Sequence, residues 1–171
     1  MRELSPFDIF GLPERFAVDA ARLKAAHQQA ILKVHPDRFA DRSPAERRVA
    51  EQWSARINEA FALLSDPVRR AGWLCEKAGH PLKAETDTRM PADFLMAQIE
   101  YREALENAAK PEDVDAVLGD ARARADREAA ALQVLIDEKA DWEGAVAAAR
   151  RLLFIDRLIE EAKKRRAQLE R

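Results

Sequence analysis

The sequence predicts an all-α protein, and three observations carry that expectation. Only 6% of its 171 residues are aromatic and five are glycine, whereas sheet-rich chains lean on β-branched and aromatic residues separated by turn glycines. Ala, Leu, Glu and Arg are abundant, and all four are strong helix formers. Apolar residues recur at three-and-four spacing between prolines, each of which disfavours helical geometry in the residue before it. These breaks fall after Leu12, His35, Ser43, Asp66, His80, Met90 and Lys110.

Phe7 to Leu12 is a short apolar piece, either one turn of helix or an extended lead-in. Asp19 is placed to cap a helix running to about Val34, with Leu23, Ala26, Ala30 and Ile31 or Val34 on its apolar face. Ser43 as N-cap, Pro44 as first helical residue and Glu46 as third predict a capping box. The helix it opens runs to about Leu64, with Ala50, Trp53 or Ser54, Ile57, Phe61 and Leu64 facing inward. The short connection between these two helices predicts an antiparallel hairpin. A shorter helix follows over Val68 to Ala78, with Gly79 where a terminator belongs.

Residues 80–91 are polar, aperiodic and hold two prolines, so they predict a linker. Three longer helices follow, from Pro91 or Ala92 to Asn107, from Pro111 to Glu138 and from Asp141 to Leu169. The second places Val114, Val117, Leu118, Ala121, Ala125, Leu132, Leu135 and Ile136 near one stripe. The third does so with Trp142, Ala149, Leu152, Ile155 and Ile159. Short connections favour antiparallel neighbours, which predicts a three-helix bundle.

Charge and chemistry exclude several functions. Lys and Arg number 29 against 31 Asp and Glu, a net of −2, without the surplus that a phosphate-binding surface needs; no nucleic-acid partner is expected. The 13 basic and 11 acidic residues up to residue 80 give way to 16 and 20 beyond it. One cysteine, Cys75, permits no disulfide framework, and His27, His35 and His80 have no metal-binding spacing with it. No nucleophile with a positioned base and no Gly-rich phosphate loop is visible, so neither an enzyme nor a metal or cofactor is expected. No apolar stretch of membrane-spanning length and no signal-type leader occurs, which predicts a soluble cytoplasmic chain without a membrane partner.

One tripeptide stands out at the tip of the expected hairpin: His35-Pro36-Asp37. It follows an FxxFGLP segment (Phe7, Phe10, Gly11, Leu12, Pro13) and a helix ending with Lys33. It precedes Arg38-Phe39 and the run INEAFALLSDPVRRAGWL, Ile57 to Leu74. This order resembles a J-domain. Beyond it, FLMAQIEYREALE (Phe94 to Glu106), preceded by Met90-Pro91, and LLFIDRLIEE (Leu152 to Glu161) are similar to HscB, the J-type co-chaperone family of iron–sulfur cluster assembly. The resemblance covers nearly the whole chain.

What the resemblance implies can be written residue by residue. The fold would be an N-terminal J-domain over 1–79, a linker over 80–91 and a C-terminal three-helix scaffold-binding bundle over 92–171. His35, Pro36 and Asp37 would engage a DnaK/HscA-type ATPase chaperone and stimulate its hydrolysis, with Arg22, Lys24, Lys33 and Arg38 supplying positive charge. The middle of the preceding helix reads His27-Gln28-Gln29, where many J-domains have an aromatic followed by basic residues, and His27 is expected to pack rather than bind a ligand. Leu95, Met96, Ile99, Glu100 and Glu103, with Phe154 from the last helix, would bind an IscU-type scaffold, whereas Asn107 stands where another acidic residue is expected. The chain would act as a bacterial, cytoplasmic monomer. A general J-protein whose C-terminal helices bind other clients is the competing expectation.

Overall fold

The computed structural model describes residues 3–84 and 89–171. Seven α-helices and no strand occur among them. By contact the chain divides into two compact units, Met1–Arg70 and Ala71–Arg171.

In the first unit, α1 (Pro6–Ile9) is a single turn capped reciprocally by Ser5 and Asp8, resolving the choice left open for Phe7 to Leu12. Helix α2 (Ala20–Val34) begins where Asp19 accepts hydrogen bonds from the amides of Ala21 and Arg22 at 2.9 and 3.1 Å. Helix α3 (Pro44–Ser65) begins with the Ser43 half of the expected box, the hydroxyl accepting from Glu46 N at 3.2 Å. Helices α2 and α3 pack on each other and α1 packs on α3. Their shared core buries Phe7, Phe10, Phe16, Leu23, Ala50, Ile57, Ala60 and Leu64, each large side chain stabilising by roughly 1.5–3 kcal/mol. Trp53 is 37% exposed and lies under the Arg56 guanidinium at 5.2 Å, so the inward stripe passes through half-buried Ser54 instead.

Helix α4 (Pro67–Lys77) crosses the division between the units. Arg70 holds its start, donating to Leu64 O at 2.5 Å and lying 4.5 Å from the Phe16 ring centre. Its end is a glycine stop: Gly79 takes φ +88, His80 N donates to Cys75 O at 2.8 Å and Gly79 N to Glu76 O at 2.9 Å, the paired bonds of a Schellman turn. Of the expected linker, residues 85–88 lie outside the described residues. Earlier in that segment, Leu82 O accepts from Arg150 Nε at 2.7 Å.

The second unit holds α5 (Ala92–Asn107), α6 (Pro111–Gln133) and α7 (Trp142–Leu169). Arg151 pairs with Glu128 and Arg166 with Asp115, so α6 and α7 run antiparallel. Phe94 meets Phe154 and Leu105 O meets Arg165, so α5 runs parallel to α7. The seam is lined by small side chains, Ala121, Ala145, Ala148, Ala149 and Ala162, all fully buried. The helix expected to continue to Glu138 widens into a π turn over Val134–Glu138. There Lys139 N reaches back to Val134 O and Asp141 N to Leu135 O, which leads the chain through Ala140 (φ 49) into α7. Asp141 caps that helix, accepting from Gly144 N at 3.0 Å.

Candidate partner-binding surfaces

The His35-Pro36-Asp37 turn follows the last residue of α2 and opens a 3-10 turn over Pro36–Phe39. Proline restricts its own φ and removes a donor, and Arg38 N donates to His35 O at 3.0 Å. His35 Nδ1 accepts from Asp37 N at 3.2 Å. The Asp37 carboxylate stands 3.7 Å from the same nitrogen, with its side chain 92% exposed against 48% for His35. The turn thus presents an outward carboxylate on a backbone fixed by local bonds.

Behind it, His27 stacks on Phe61 with ring centres 4.1 Å apart, and its Nε2 lies 2.9 Å from Asn58 Oδ1. This is the packed role expected for it, and it joins α2 to α3. The basic residues do not form one face. At about 100° per residue, Arg22 and Lys33 share a flank of α2, roughly 20° apart, while Lys24 projects about 160° from Arg22. All three are exposed, as is Arg38 on the 3-10 turn.

On α5, Phe94, Gln98 and Leu105 are buried, while Leu95, Met96 and Ile99 are 45, 58 and 51% exposed. Within about 100° of arc this outer face gathers the three apolar side chains, and Glu103 falls inside the same arc with Glu100 at its edge; both carboxylates are exposed. Phe154 is partly buried, its ring edge-on to Phe94 at 6.5 Å and 78°, and Arg157 lies over it at 5.6 Å. The structure therefore places Phe154 between core and surface rather than in the open. Large apolar side chains clustered on a solvent face mark an interaction surface.

Two family models match in succession: the DnaJ domain over residues 5–73 and the HSCB C-terminal oligomerisation domain over residues 90–163. The co-chaperone protein HscB homolog of Bordetella avium is 48% identical over 157 residues, covering 91% of this chain and 93% of the relative. This chain belongs to the HscB co-chaperone family. The homolog of Burkholderia multivorans is 42% identical over 98% of the chain and 95% of its own length. Among solved structures, the chaperone HscB from Vibrio cholerae superposes with a TM-score of 0.84 at 33% identity, covering 97% of this chain and 99% of that one. Human co-chaperone protein HscB gives 0.90 at 25% identity, with 97 and 84% covered. As an HscB-family chain it carries the tripeptide turn within the J-domain match, and the α5 surface with Phe154 within the C-terminal match.

Cys75 is fully buried, and burial pushes its thiol up to about 11, so almost none is thiolate at neutral pH. Among the described residues no three His, Cys, Asp or Glu side chains gather as metal ligands would, and no helix is long and apolar enough to cross a membrane. Arg157 escaped the sequence reading. Its only signal is the three-residue step from Phe154, and Glu160 and Glu161 stand at equally favourable spacings.

Proposed function

We propose that this HscB-family chain stimulates the ATPase of a DnaK/HscA-type chaperone through His35, Pro36 and Asp37, and delivers to it an IscU-type iron–sulfur scaffold held on the α5 surface. The proposed parts are a J-domain over 1–79, a linker over 80–91 and the scaffold-binding bundle over 92–171. The setting is the bacterial cytoplasm. Asp37 accepts charge-assisted hydrogen bonds from a chaperone cation, and the flank with Arg22 and Lys33, together with Arg38, steers the encounter. Lys24 contributes from the opposite flank. The turn acts on the partner's catalysis and supplies no nucleophile of its own.

The observation that carries the scaffold half is the exposure of Leu95, Met96 and Ile99 on a helix whose other side fills a core. Apolar anchors of this kind, rimmed by charge, concentrate binding energy in a few residues. Glu100 and Glu103 on this face favour a partner with basic groups and oppose pairing of two copies across it, which makes a monomer the working unit. The deciding experiment is the ATPase rate of an HscA-type chaperone with this chain, with and without the scaffold. Stimulation by the chain that rises further with scaffold is the expected result; no stimulation in either case refutes the proposal.

A further inference from the structure

Arg157 has an unusual setting for an exposed cation. Two carboxylates stand at the three- and four-residue spacings on α7 that favour ion pairing, yet both are engaged elsewhere. Glu160 accepts from Lys163 Nζ at 2.9 Å, and Glu161 faces Arg102 of α5 at 3.9 Å. Among the described residues no carboxylate lies within ion-pair distance of Arg157, whose guanidinium rests on the Phe154 ring.

Position ties Arg157 to the α5 surface. Phe154 reaches α5 through Phe94 and Glu161 through Arg102. Arg157 lies between them along α7, about 60° and 40° away around the axis, on the flank beside α5. The apolar surface thus has carboxylates, Glu100 and Glu103, on one part of its rim and a cation on another.

We propose that Arg157 is a specificity-determining residue of this surface and takes a carboxylate of the bound scaffold. The inference rests on the scaffold reading above. A partner that covers Phe154 strips water from the guanidinium lying on it, and a desolvated charge without a counter-charge opposes binding. A tight partner therefore brings an anion to that point and cations to Glu100 and Glu103. Opposite charges on two parts of the rim also fix which way round the partner docks.

Calorimetry of the full chain with purified IscU-type scaffold tests this, with circular dichroism to confirm that each variant is folded. Arg157→Glu should weaken binding about tenfold or more, Arg157→Gln should weaken it less, and Arg157→Lys should stay nearest the parent. Reversing one carboxylate on the scaffold's binding face to Arg should restore affinity to Arg157→Glu. Unchanged affinity of Arg157→Glu overturns the inference. So does equal weakening by Gln and Lys, which would mean that packing on Phe154 matters and charge does not. Met96→Ala with Phe154→Ala separates the two levels: if that variant binds less well while Arg157→Glu binds normally, only the Arg157 assignment fails. If both bind normally, the scaffold surface itself is misplaced.

Discussion

At the tip of the α2–α3 hairpin, His35, Pro36 and Asp37 form an exposed polar turn held by two short-range hydrogen bonds. On α5, Leu95, Met96 and Ile99 are about half exposed, and they ride on a helix whose opposite side packs into the bundle. The first surface stores its information in backbone conformation and the direction of a few polar atoms. The second stores it in apolar area and the outline of a rigid face. A change of one atom should therefore silence the turn without touching stability, whereas the apolar part of the helix face should yield when bulk is removed.

The sharpest break of this comparison is Asp37→Asn. The side chain is almost wholly in water, so the melting temperature should stay put while stimulation of the chaperone ATPase falls to the basal rate and scaffold affinity holds. Retained stimulation in a steady-state ATPase assay would sink the turn assignment. Met96→Ala with Phe154→Ala should do the reverse, lowering scaffold affinity about tenfold or more, roughly 1.4 kcal/mol or above, with scaffold-free stimulation unchanged. Calorimetry reads the first quantity and the ATPase assay the second.

His27→Ala should have an intermediate effect of another kind. It removes the stack on Phe61 and the contact with Asn58, costing the N-terminal unit about 1–2 kcal/mol in denaturant unfolding. No change would mean that the hairpin holds its turn without this contact. The smallest effect belongs to Asp115, whose carboxyl is held below its ordinary value chiefly by the hydrogen bond from Arg166. A depressed carboxyl stabilises above its unfolded-state value and loses that contribution as pH falls through the folded one. Asp115→Asn should thus melt slightly below the parent at pH 7 and together with it at strongly acid pH. The pair is exposed, which keeps the difference small.

Much of the fold could be read in advance because helix ends announce themselves. Asp19, Ser43-Pro44, Asp66-Pro67 and Gly79 each satisfy or terminate backbone groups locally, and a short stretch of sequence contains everything that decides them. What periodicity could not decide was orientation. Trp53 and Ser54 point about 100° apart and either completes the α3 stripe; the proximity of Arg56 and α1 selects the outcome. Helix α5 is apolar on both sides, so only the tertiary burial of Phe94, Gln98 and Leu105 shows that Leu95 and Ile99 face out. The π turn after α6 left no mark in the pattern. Arg157 was illegible because its setting depends on which carboxylates Arg102 and Lys163 engage, and no spacing rule ranks such competing pairs.

The start of α7 inverts a familiar rule of protein engineering. Replacing a helical glycine by alanine ordinarily stabilises by about 0.5–1 kcal/mol. At Gly144 a methyl group would land 2.6 Å from Asp141 Oδ2, the partner of the carboxylate oxygen that caps the helix, and 3.1 Å from Leu135, so the same replacement would push the carboxylate off the Gly144 amide it caps, a loss of about 0.5–2 kcal/mol. A program of stabilising this chain by consensus helix formers would fail first at the residue where its logic looks safest.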